Sequence, residues 1–278
     1  MQLTRGKRKM TTLGGTGTGA PLISILLPIF DTDQAQADCT MEVVARLGTA
    51  LRDCSAEILV IDDCSPDTSV SASLEPSERV RLFRSNTRGG LVRSLNLGAE
   101  HAHGSLLTYC HSDCFVHRDC FIPIIAAFRS MDVGMTVSEL WLKDGTIQQS
   151  GGWIGPDYRL SWCRNVYDHS VDIHWGDFWT VRTALFKEMG HLPTEYGLGY
   201  WECVELGTYV RMAGHRVVTS PGSRVTHLKS QTFHRALSPA ERDTLFERNR
   251  SIFAQRWQRF GERIWAGAPR STDKSEWR

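Results

Sequence analysis

The chain has 278 residues, of which 41% are hydrophobic and 23% charged, and its 32 basic and 31 acidic residues leave a formal net charge of +1. This composition is typical of a folded globular protein, excludes a largely disordered chain, and gives no overall attraction for nucleic acid. The longest apolar run, residues 22–30, is far shorter than the roughly 18 residues of a membrane-spanning helix. The basic N-terminus continues into Gly and Thr instead of the apolar segment of a secretory signal. We therefore expect a cytoplasmic protein that does not span a membrane.

The eight cysteines are spread along the chain, and several lie in apolar runs, where a free cysteine behaves as a small hydrophobic residue. We expect them to be mostly reduced. Four neighbouring residues, Cys110, Cys114, His117 and Cys120, have side chains of the types that bind zinc. Their spacing is not a common zinc pattern, so we do not predict a zinc site there.

Apolar strand-like runs alternate with helical patterns from residue 21 onward, after an N-terminal arm (residues 1–20) that shows no periodicity and is expected to be flexible. The predicted strands are residues 22–28, 57–61, 80–83 and 105–110, and the predicted helices are residues 41–51 and 90–102. This alternation is typical of an α/β fold with a mostly parallel, Rossmann-like sheet and helices on both faces.

The second half of the chain has a different pattern. We predict a hairpin at residues 144–152, a helix at residues 202–213 that Gly214 ends, and short strands at residues 215–219 and 224–227. Several tryptophans precede the helix. A long amphipathic helix is predicted after these strands, followed by a frayed tail.

Polar residues follow three of the predicted strands. Asp31 comes after the first strand, Asp63 after the second, and His111 and Asp113 after the fourth. An Asp at the end of a strand is often only a turn former. Ligands of parallel α/β sheets bind beyond the carboxyl ends of the strands, however, so the convergence of these residues favours a site. Carboxylate and imidazole groups are suitable ligands for a divalent cation.

An ordered series of motifs in this chain resembles the family 2 glycosyltransferases of the GT-A fold. The resemblance covers about residues 22–233. Its motifs are residues 27–31 (LPIFD), 60–67 (VIDDCSPD), 86–98 (NTRGGLVRSLNLG), 102–104 (AHG), 111–113 (HSD), 144–148 (DGTIQ), 181–186 (VRTALF), 201–206 (WECVEL), 211–214 (RMAG) and 225–227 (VTH). Within the family, the chain looks most similar to enzymes that build bacterial surface polysaccharides, rhamnosyltransferases included.

The resemblance implies a GT-A fold and an enzyme that transfers a sugar from a nucleotide diphosphate sugar, with Mn²⁺ or Mg²⁺, to a glycan or lipid-linked acceptor. It also implies inversion at the anomeric carbon. On this basis residues 21–237 form the transferase domain, with a nucleotide-binding part at about residues 21–115 and an acceptor-binding part at about residues 116–237. Residues 238–278 form the C-terminal helix and tail.

The resemblance assigns a nucleotide site to the strand ends. It implies that Phe30 stacks on the base, that Asp63 accepts a hydrogen bond from a ring N–H, and that the backbone at Gly89 approaches the ligand. Arg93 is expected to face the nucleotide, although a solvated helix face is the alternative. The residues predicted at the nucleotide sugar are Pro28, Phe30, Asp31, Asp63, Gly89, Gly90, Arg93, Asn96, His111, Ser112 and Asp113.

The same resemblance implies a metal site. Asp113 matches the last Asp of the family's Asp-X-Asp motif, which reaches the metal on the diphosphate. His227 matches the His that completes the metal site in many members. His111 stands where the family has its first Asp, so this residue is either a third ligand or only a neighbour.

The general base is the second departure from the family pattern, because Cys203 stands where the family has an Asp. A thiol with a pKa near ~8.5 is a poor substitute for a carboxylate. Glu202 is our first choice for the base and Glu205 the second, although a Glu at a helix start also simply favours the helix dipole. Candidate acceptor contacts are Trp153, Trp175, Asp177 and Trp201, and tryptophans of this kind are equally often part of a core.

Two other functions stay open from the sequence. A nucleotide-sugar-binding protein without catalysis would fit the Cys at position 203. A sugar nucleotidyltransferase would have a Gly-rich loop, which residues 14–19 faintly resemble, but no strand precedes them and no Lys-Ser/Thr follows, which favours a linker. For the C-terminal helix, residues 239–261, packing of its apolar stripe on the domain is favoured over contact with an anionic membrane.

Overall fold

The computed structural model describes residues 20–74, 77–164, 170–171, 176–229 and 237–264. The predicted N-terminal arm, the Gly-rich stretch at residues 14–19, Trp175 and the predicted C-terminal tail therefore lie outside the described residues.

The described residues form one large sheet, one small sheet and seven α-helices. The strands are β1 (Ile23–Ile29), β2 (Ala56–Asp62), β3 (Val80–Arg84), β4 (Leu106–Cys110), β5 (Cys114–Val116), β6 (Val133–Trp141), β7 (Ile147–Gln149), β8 (Gly152–Ile154), β9 (Leu160–Trp162), β10 (Ser170–Val171), β11 (Phe178–Arg182) and β12 (Arg216–His227). The helices are α1 (Gln34–Ala50), α2 (Ser69–Ser73), α3 (Leu91–His101), α4 (Phe121–Ala127), α5 (Thr183–Glu188), α6 (Glu202–Met212) and α7 (Pro239–Trp257).

The large sheet has the strand order β10-β12-β6-β11-β4-β1-β2-β3, with β5 paired to β12 and β7 to β6, while β8 and β9 form the small sheet. Strands β1, β2, β3 and β4 are parallel, as predicted, and β6 and β12 are parallel to each other. Strand β11 runs antiparallel between β4 and β6. Four strand pairs of the large sheet are parallel and five are antiparallel, so the sheet is mixed. Its parallel first half brings the carboxyl ends of β1, β2 and β4 to one edge.

Helices cover both faces of the sheet and enclose two cores, which confirms the predicted α/β class. One core joins α1, α2 and α4 to one face of the sheet. The other joins α3, α5, α6 and α7 to the opposite face. No helix among the described residues is long and apolar enough to cross a membrane.

Two predicted boundaries were wrong. Helix α1 begins at Gln34, seven residues before its predicted start, because the Asp33 side chain accepts a hydrogen bond from the backbone N–H of Gln36 and caps a first turn that has little apolar pattern. The two strands predicted in residues 215–227 form the single strand β12, whose pairing with β6 shifts register between Thr219 and Arg224.

Glu205 fixes the long C-terminal helix to α6 and is therefore not the alternative base that the sequence suggested. The buried carboxylate accepts hydrogen bonds from the Tyr196 hydroxyl and the Trp257 indole N–H, both at 2.7 Å, and from Arg256 Nε at 3.0 Å. Helix α7 also carries Phe253 into the core. These contacts support the favoured interpretation of α7, in which its apolar stripe packs on the domain.

Replacing Glu205 with Gln is expected to lower the free energy of unfolding by about 2–4 kcal/mol. The amide carries no charge, and its NH₂ group would face side chains that also donate hydrogen bonds. The measurement is urea denaturation at neutral pH. Glu247→Gln is the control, since Glu247 lies on α7 in an exposed ion pair with Arg250, and its loss is expected to cost less than about 1 kcal/mol. Equal denaturation midpoints for the two variants would contradict the structural role of Glu205.

Candidate active site

Two adjacent cavities open at the carboxyl ends of the strands. The first cavity is lined by Pro28, Ile29, Phe30, Asp63, Arg88, Gly90, Leu91, Ser94, His111, Ser112, Leu198 and Leu237. The second cavity is lined by Leu91, Tyr109, His111, Gln148, Gly176, Asp177, Tyr200, Glu202, Cys203 and His227. Leu91 and His111 line both. The two cavities are therefore neighbours that share a wall at the end of β4.

The loop before α3 is tied to the end of β2 in the first cavity. Asp63 accepts hydrogen bonds from the backbone N–H groups of Gly89 at 2.6 Å and Gly90 at 2.8 Å. Gly90 has a φ of 85°, and a Cβ there would lie 2.8 Å from the Gly197 carbonyl oxygen, so a side chain would be excluded on both counts. The loop thus holds backbone close to the cavity, as the sequence led us to expect.

Arg88 is a cavity residue that the sequence analysis missed. Its guanidinium lies 3.8 Å from the centroid of the Phe30 ring, a cation–π arrangement. Phe30 therefore faces the cavity with the guanidinium over its ring, and its stacking on a base stays a prediction. The only sequence signal for Arg88 was its place directly before the two glycines.

Three predicted metal ligands meet between the cavities. Asp113 Oδ1 lies 2.6 Å from His111 Nδ1 and 3.3 Å from His227 Nε2. The Cys114 sulfur is also near, since donor atoms of Asp113, Cys114 and His227 lie within 4.8 Å of one another. Burial raises the pKa of the Cys114 thiol well above its usual range, however, so this sulfur is a weak ligand. His111 pairs with Asp113 through its Nδ1, and its part as a third ligand stays a prediction.

Charge pairing within this cluster outweighs the cost of burying it. Burial alone would lower the pKa of His111, but the charge and hydrogen bond of Asp113 raise it to about 9. Burial alone would raise the pKa of Asp113, but His111 and His227 hold it well below its usual range. The carboxylate is therefore ionised and available as a metal ligand or an imidazolium partner.

The far side of His227 is also occupied. Its Nδ1 lies 2.8 Å from Gln148 Oε1 and 3.4 Å from Asp177 Oδ2. A hydrogen bond on Nδ1 orients the ring so that Nε2 faces Asp113, which is the usual arrangement behind a metal-binding histidine. The sequence pattern of β7 contained Gln148 but gave no reason to place it behind this histidine.

Glu202 lies at the start of α6 and faces the second cavity. Its side chain is buried, and its Oε2 has no hydrogen-bond partner among the residues that the structure describes. Burial raises the pKa of Glu202 to about 7, with a further contribution from the charge of Asp177. Burial also raises the pKa of the neighbouring Cys203 thiol well above its usual range, and its sulfur accepts a hydrogen bond from the backbone N–H of Gly176. Cys203 is thus a neutral wall residue, and Glu202 is the group here that can exchange a proton near pH 7.

Two residues predicted at the nucleotide do not line the first cavity. Asn96 forms two hydrogen bonds of 2.9 Å with the backbone of Leu192, through its amide nitrogen and its amide oxygen. Arg93 and Asn96 line a separate open cleft beside residues 189–195 and are not among the residues that line the first cavity. Arg93 is exposed, and its side chain lies next to Gly89, so its contact with a nucleotide stays a prediction.

Asp31 lies behind the first cavity and does not line it. The side chain accepts a hydrogen bond from Thr40 Oγ1 at 3.1 Å, and its backbone N–H donates to Ser65 Oγ at 2.9 Å. Burial raises the pKa of Asp31 to about 6. The residue therefore connects β1 to α1 and to the loop after β2.

Trp153 and Trp201, the two tryptophans predicted to contact an acceptor that the structure describes, both pack against the core. Trp201 is completely buried and packs against Phe246 and Phe253. Trp153 packs against the same core from the small sheet. Asp177 is the member of this predicted group that the structure brings to the second cavity, with Tyr200 beside it.

Several known proteins are similar to this chain in sequence or in fold. The profile described as Glycosyl transferase family 2 matches residues 24–190, more than half of the chain. Polypeptide N-acetylgalactosaminyltransferase 3 of Drosophila melanogaster is 24% identical over 87% of this chain and 40% of the relative. Inactive polypeptide N-acetylgalactosaminyltransferase-like protein 5 of Macaca fascicularis is 26% identical over 63% of this chain and 45% of the relative. The chain thus spans less than half the length of these two curated relatives.

Two solved structures have the same fold. GalNAc-T7 with UDP, GalNAc and Mn²⁺ superposes with a TM-score of 0.63 at 18% identity, over 75% of this chain and 44% of that one. The mannosyltransferase PcManGT of Pyrobaculum calidifontis, in complex with GDP-Man and Mn²⁺, superposes with a TM-score of 0.58 at 15% identity, over 87% of this chain and 76% of that one. The profile match and the GT-A architecture agree with the motif order in the sequence: the chain belongs to glycosyl transferase family 2.

Proposed function

We propose that this chain is a metal-dependent glycosyltransferase that moves a sugar from a nucleotide diphosphate sugar to a hydroxyl group of a glycan or lipid-linked acceptor, with inversion. The observation that carries the proposal is the cluster of His111, Asp113 and His227 between the two cavities. A diphosphate bound at this cluster has room for a nucleoside on one side and for a sugar on the other. Membership of the family supports the same reaction class.

The first cavity is proposed to bind the nucleoside. Phe30 and Arg88 provide a flat ring and a flat cation at its wall, and Asp63 provides an acceptor beside the loop at Gly89. A planar base can stack on such groups while the carboxylate selects a ring N–H. Two solved relatives of the fold bind UDP and GDP-Man, so both pyrimidine and purine nucleotides are proper candidates.

The residues of the cluster fit a divalent cation. The carboxylate of Asp113 and the imidazole of His227 are buried, and the partly buried imidazole of His111 lies beside them. A nitrogen-containing donor set suits Mn²⁺ better than Mg²⁺, which prefers oxygen. We propose that Asp113, His227 and His111 hold the ion, with Gln148 and Asp177 orienting His227. A bound cation neutralises negative charge on the departing diphosphate.

Glu202 is proposed as the general base for the acceptor hydroxyl. The carboxylate faces the second cavity, has one oxygen without a hydrogen-bond partner among the described residues, and has a pKa raised to about 7 by burial. A base with its pKa near the working pH combines ionisation with proton affinity. In a single displacement, the carboxylate accepts the hydroxyl proton as the acceptor oxygen attacks the anomeric carbon.

The proposal divides the chain into a nucleotide-binding part, about residues 21–115, and an acceptor-binding part, about residues 116–237. Residues 238–264 then belong to the acceptor side through α7. The acceptor is proposed as a glycan or lipid-linked sugar, with a role in polysaccharide biosynthesis. One curated relative is named as a polypeptide N-acetylgalactosaminyltransferase and another as an inactive protein similar to such enzymes. Peptides rich in Ser and Thr therefore belong in an acceptor screen.

The second candidate function is a nucleotide-sugar-binding protein without turnover. Cys203 at the family's base position favours it, and one relative is named as inactive. Such a protein would bind a nucleotide diphosphate through the first cavity and the cluster, but would show no transfer with any acceptor. The position of Glu202 one residue earlier on α6 is the observation that favours the enzyme.

Loss of the Asp113 charge is expected to weaken metal-dependent nucleotide binding and to lower turnover by at least about 100-fold. Calorimetric titration of wild type and Asp113→Asn with UDP, GDP, dTDP and CMP, each with and without Mn²⁺, measures the first effect. Asp119→Asn is the control, because Asp119 is exposed after β5. Equal Mn²⁺-dependent affinity of wild type and Asp113→Asn would remove Asp113 from the site.

Glu202→Gln is expected to abolish transfer and to leave the affinity for the nucleoside diphosphate unchanged. In the wild type the base works only when ionised, so kcat should fall about tenfold for each pH unit below its pKa near 7 and level off above it. Initial rates between pH 5 and pH 9 check this, with Glu188→Gln, on the exposed side of α5, as the control. Transfer by Glu202→Gln at the wild-type rate would exclude Glu202 as the base.

A further inference from the structure

Residues 194–201 form a loop that leads directly into Glu202. Several of its residues have left-handed backbone angles, with φ of 63° at Gly197, 132° at Gly199, 66° at Tyr200 and 74° at Trp201. Tyr and Trp rarely adopt this conformation, because their Cβ atoms crowd the following carbonyl. Two such residues in succession immediately before a functional side chain need outside support to persist.

Asn249, in the middle of α7, provides such support. Its amide nitrogen lies 2.9 Å from the Tyr196 carbonyl oxygen, 2.7 Å from that of Gly199 and 3.1 Å from that of Tyr200. The side chain is fully buried, and its amide oxygen has no hydrogen-bond partner among the described residues. Since carbonyl oxygens can only accept, the amide must present its NH₂ group to the loop, and the donor function is what this position uses.

Neighbouring residues of α7 reinforce the same contact. The ring of Phe246 packs on Tyr200 and on Trp201, and Phe253 packs on Trp201. Arg248 donates a hydrogen bond to the Glu195 carbonyl at 2.9 Å. On the other side of the loop, the Gly197 carbonyl accepts a hydrogen bond from the backbone N–H of Val92. The loop is thus held between α7 and the start of α3.

We propose that Asn249 is a positioning residue, which acts through the loop at residues 194–201 to hold the carboxylate of Glu202 in the second cavity. The inference rests on the proposed function, because it gives Glu202 the role of base. Asn249 lies well after the part of the chain that matches the family profile, residues 24–190. It touches neither cavity, so it can affect the reaction only through the loop.

A merely structural role predicts something different. Loss of a buried amide that only stabilises the fold would lower the unfolding temperature and leave the folded enzyme fully active. Loss of a positioning residue lowers kcat in the folded enzyme. The first cavity is formed mainly by the ends of β1, β2 and β4 and the start of α3, and the loop reaches it through Leu198, so the affinity for the nucleotide falls little. Small displacements of a reacting group are enough to reduce rates by about 100-fold.

The test uses the full chain and three variants. Asn249→Ala removes the donor, and Asn249→Asp keeps the shape but replaces the donor with an acceptor. Leu47→Ala is the control, because Leu47 is fully buried in the core on the opposite face of the sheet and weakens the fold without touching the loop. Should both Asn249 variants fail to fold, Arg248→Ala removes an exposed contact with the same loop and replaces them.

Three readouts are compared at a temperature where each variant is folded. Calorimetry gives the affinity for whichever of UDP, GDP or dTDP binds wild type most tightly with Mn²⁺. Initial rates give kcat and the donor KM. Hydrogen exchange of backbone amides gives the protection of residues 194–202, with residues 95–101 of α3 as the internal reference.

The expected result for the Asn249 variants is a fall in kcat of about 100-fold, a donor KM and a nucleotide affinity within threefold of wild type, and faster exchange confined to residues 194–202. A kcat no lower than that of Leu47→Ala, or unchanged exchange in this loop, overturns the inference. Wild-type chain that binds a nucleotide but transfers no sugar defeats the proposed function, and the exchange data still decide whether Asn249 holds the loop.

Discussion

The buried charge pairing of Asp113 with two histidines is the constraint on which the arrangement of the site depends. A carboxylate that is 2% exposed would be costly without partners, and His111 and His227 supply them. His111 comes from the end of β4, whereas His227 ends β12, more than a hundred residues later. The pairing of His227 with Cys114 in the sheet, and the hydrogen bond from the Leu228 N–H to the Asp113 carbonyl, bring the two strand ends together. The two halves of the chain are therefore joined at the cluster itself.

Glu202 and Glu205 show how strongly the surroundings decide the role of a carboxylate. Both are buried on α6, one turn apart. Glu205 meets three donors from Tyr196, Arg256 and Trp257, so its charge is satisfied and it binds helix to helix. Glu202 faces a cavity with one oxygen unpartnered among the described residues and has a raised pKa, so its proton can move. The hydrogen-bond partners around each carboxylate therefore distinguish a structural group from the group proposed to take part in the chemistry.

The sequence was most informative where function depends on the order of strands. Strands β1, β2 and β4 and the positions of Phe30, Asp63 and Asp113 at or near their ends followed from apolar runs bounded by turn formers, because the edge of a parallel sheet is fixed by topology. It was least informative around helices. Asn96 looked like a ligand contact but bonds to the backbone of Leu192, nearly a hundred residues away. Spacing along the chain did not show which way a side chain points when its partner comes from a distant loop.

The same limit applies to Asn249, although a signal was present. It lies between Phe246 and Phe253 on the buried stripe of α7, where the helical pattern calls for an apolar residue. A buried amide is unfavourable in such a place unless it forms hydrogen bonds with carbonyl oxygens nearby. Those carbonyls belong to a loop with several left-handed residues, and the periodicity of the sequence does not reveal such residues. Glu202 and His227 were predicted from the motifs at residues 201–206 and 225–227, which lie after residue 190, where the family profile ends, whereas no motif pointed to Asn249. A residue that supports a functional loop from a distant helix therefore becomes apparent from the three-dimensional contacts and not from the sequence pattern.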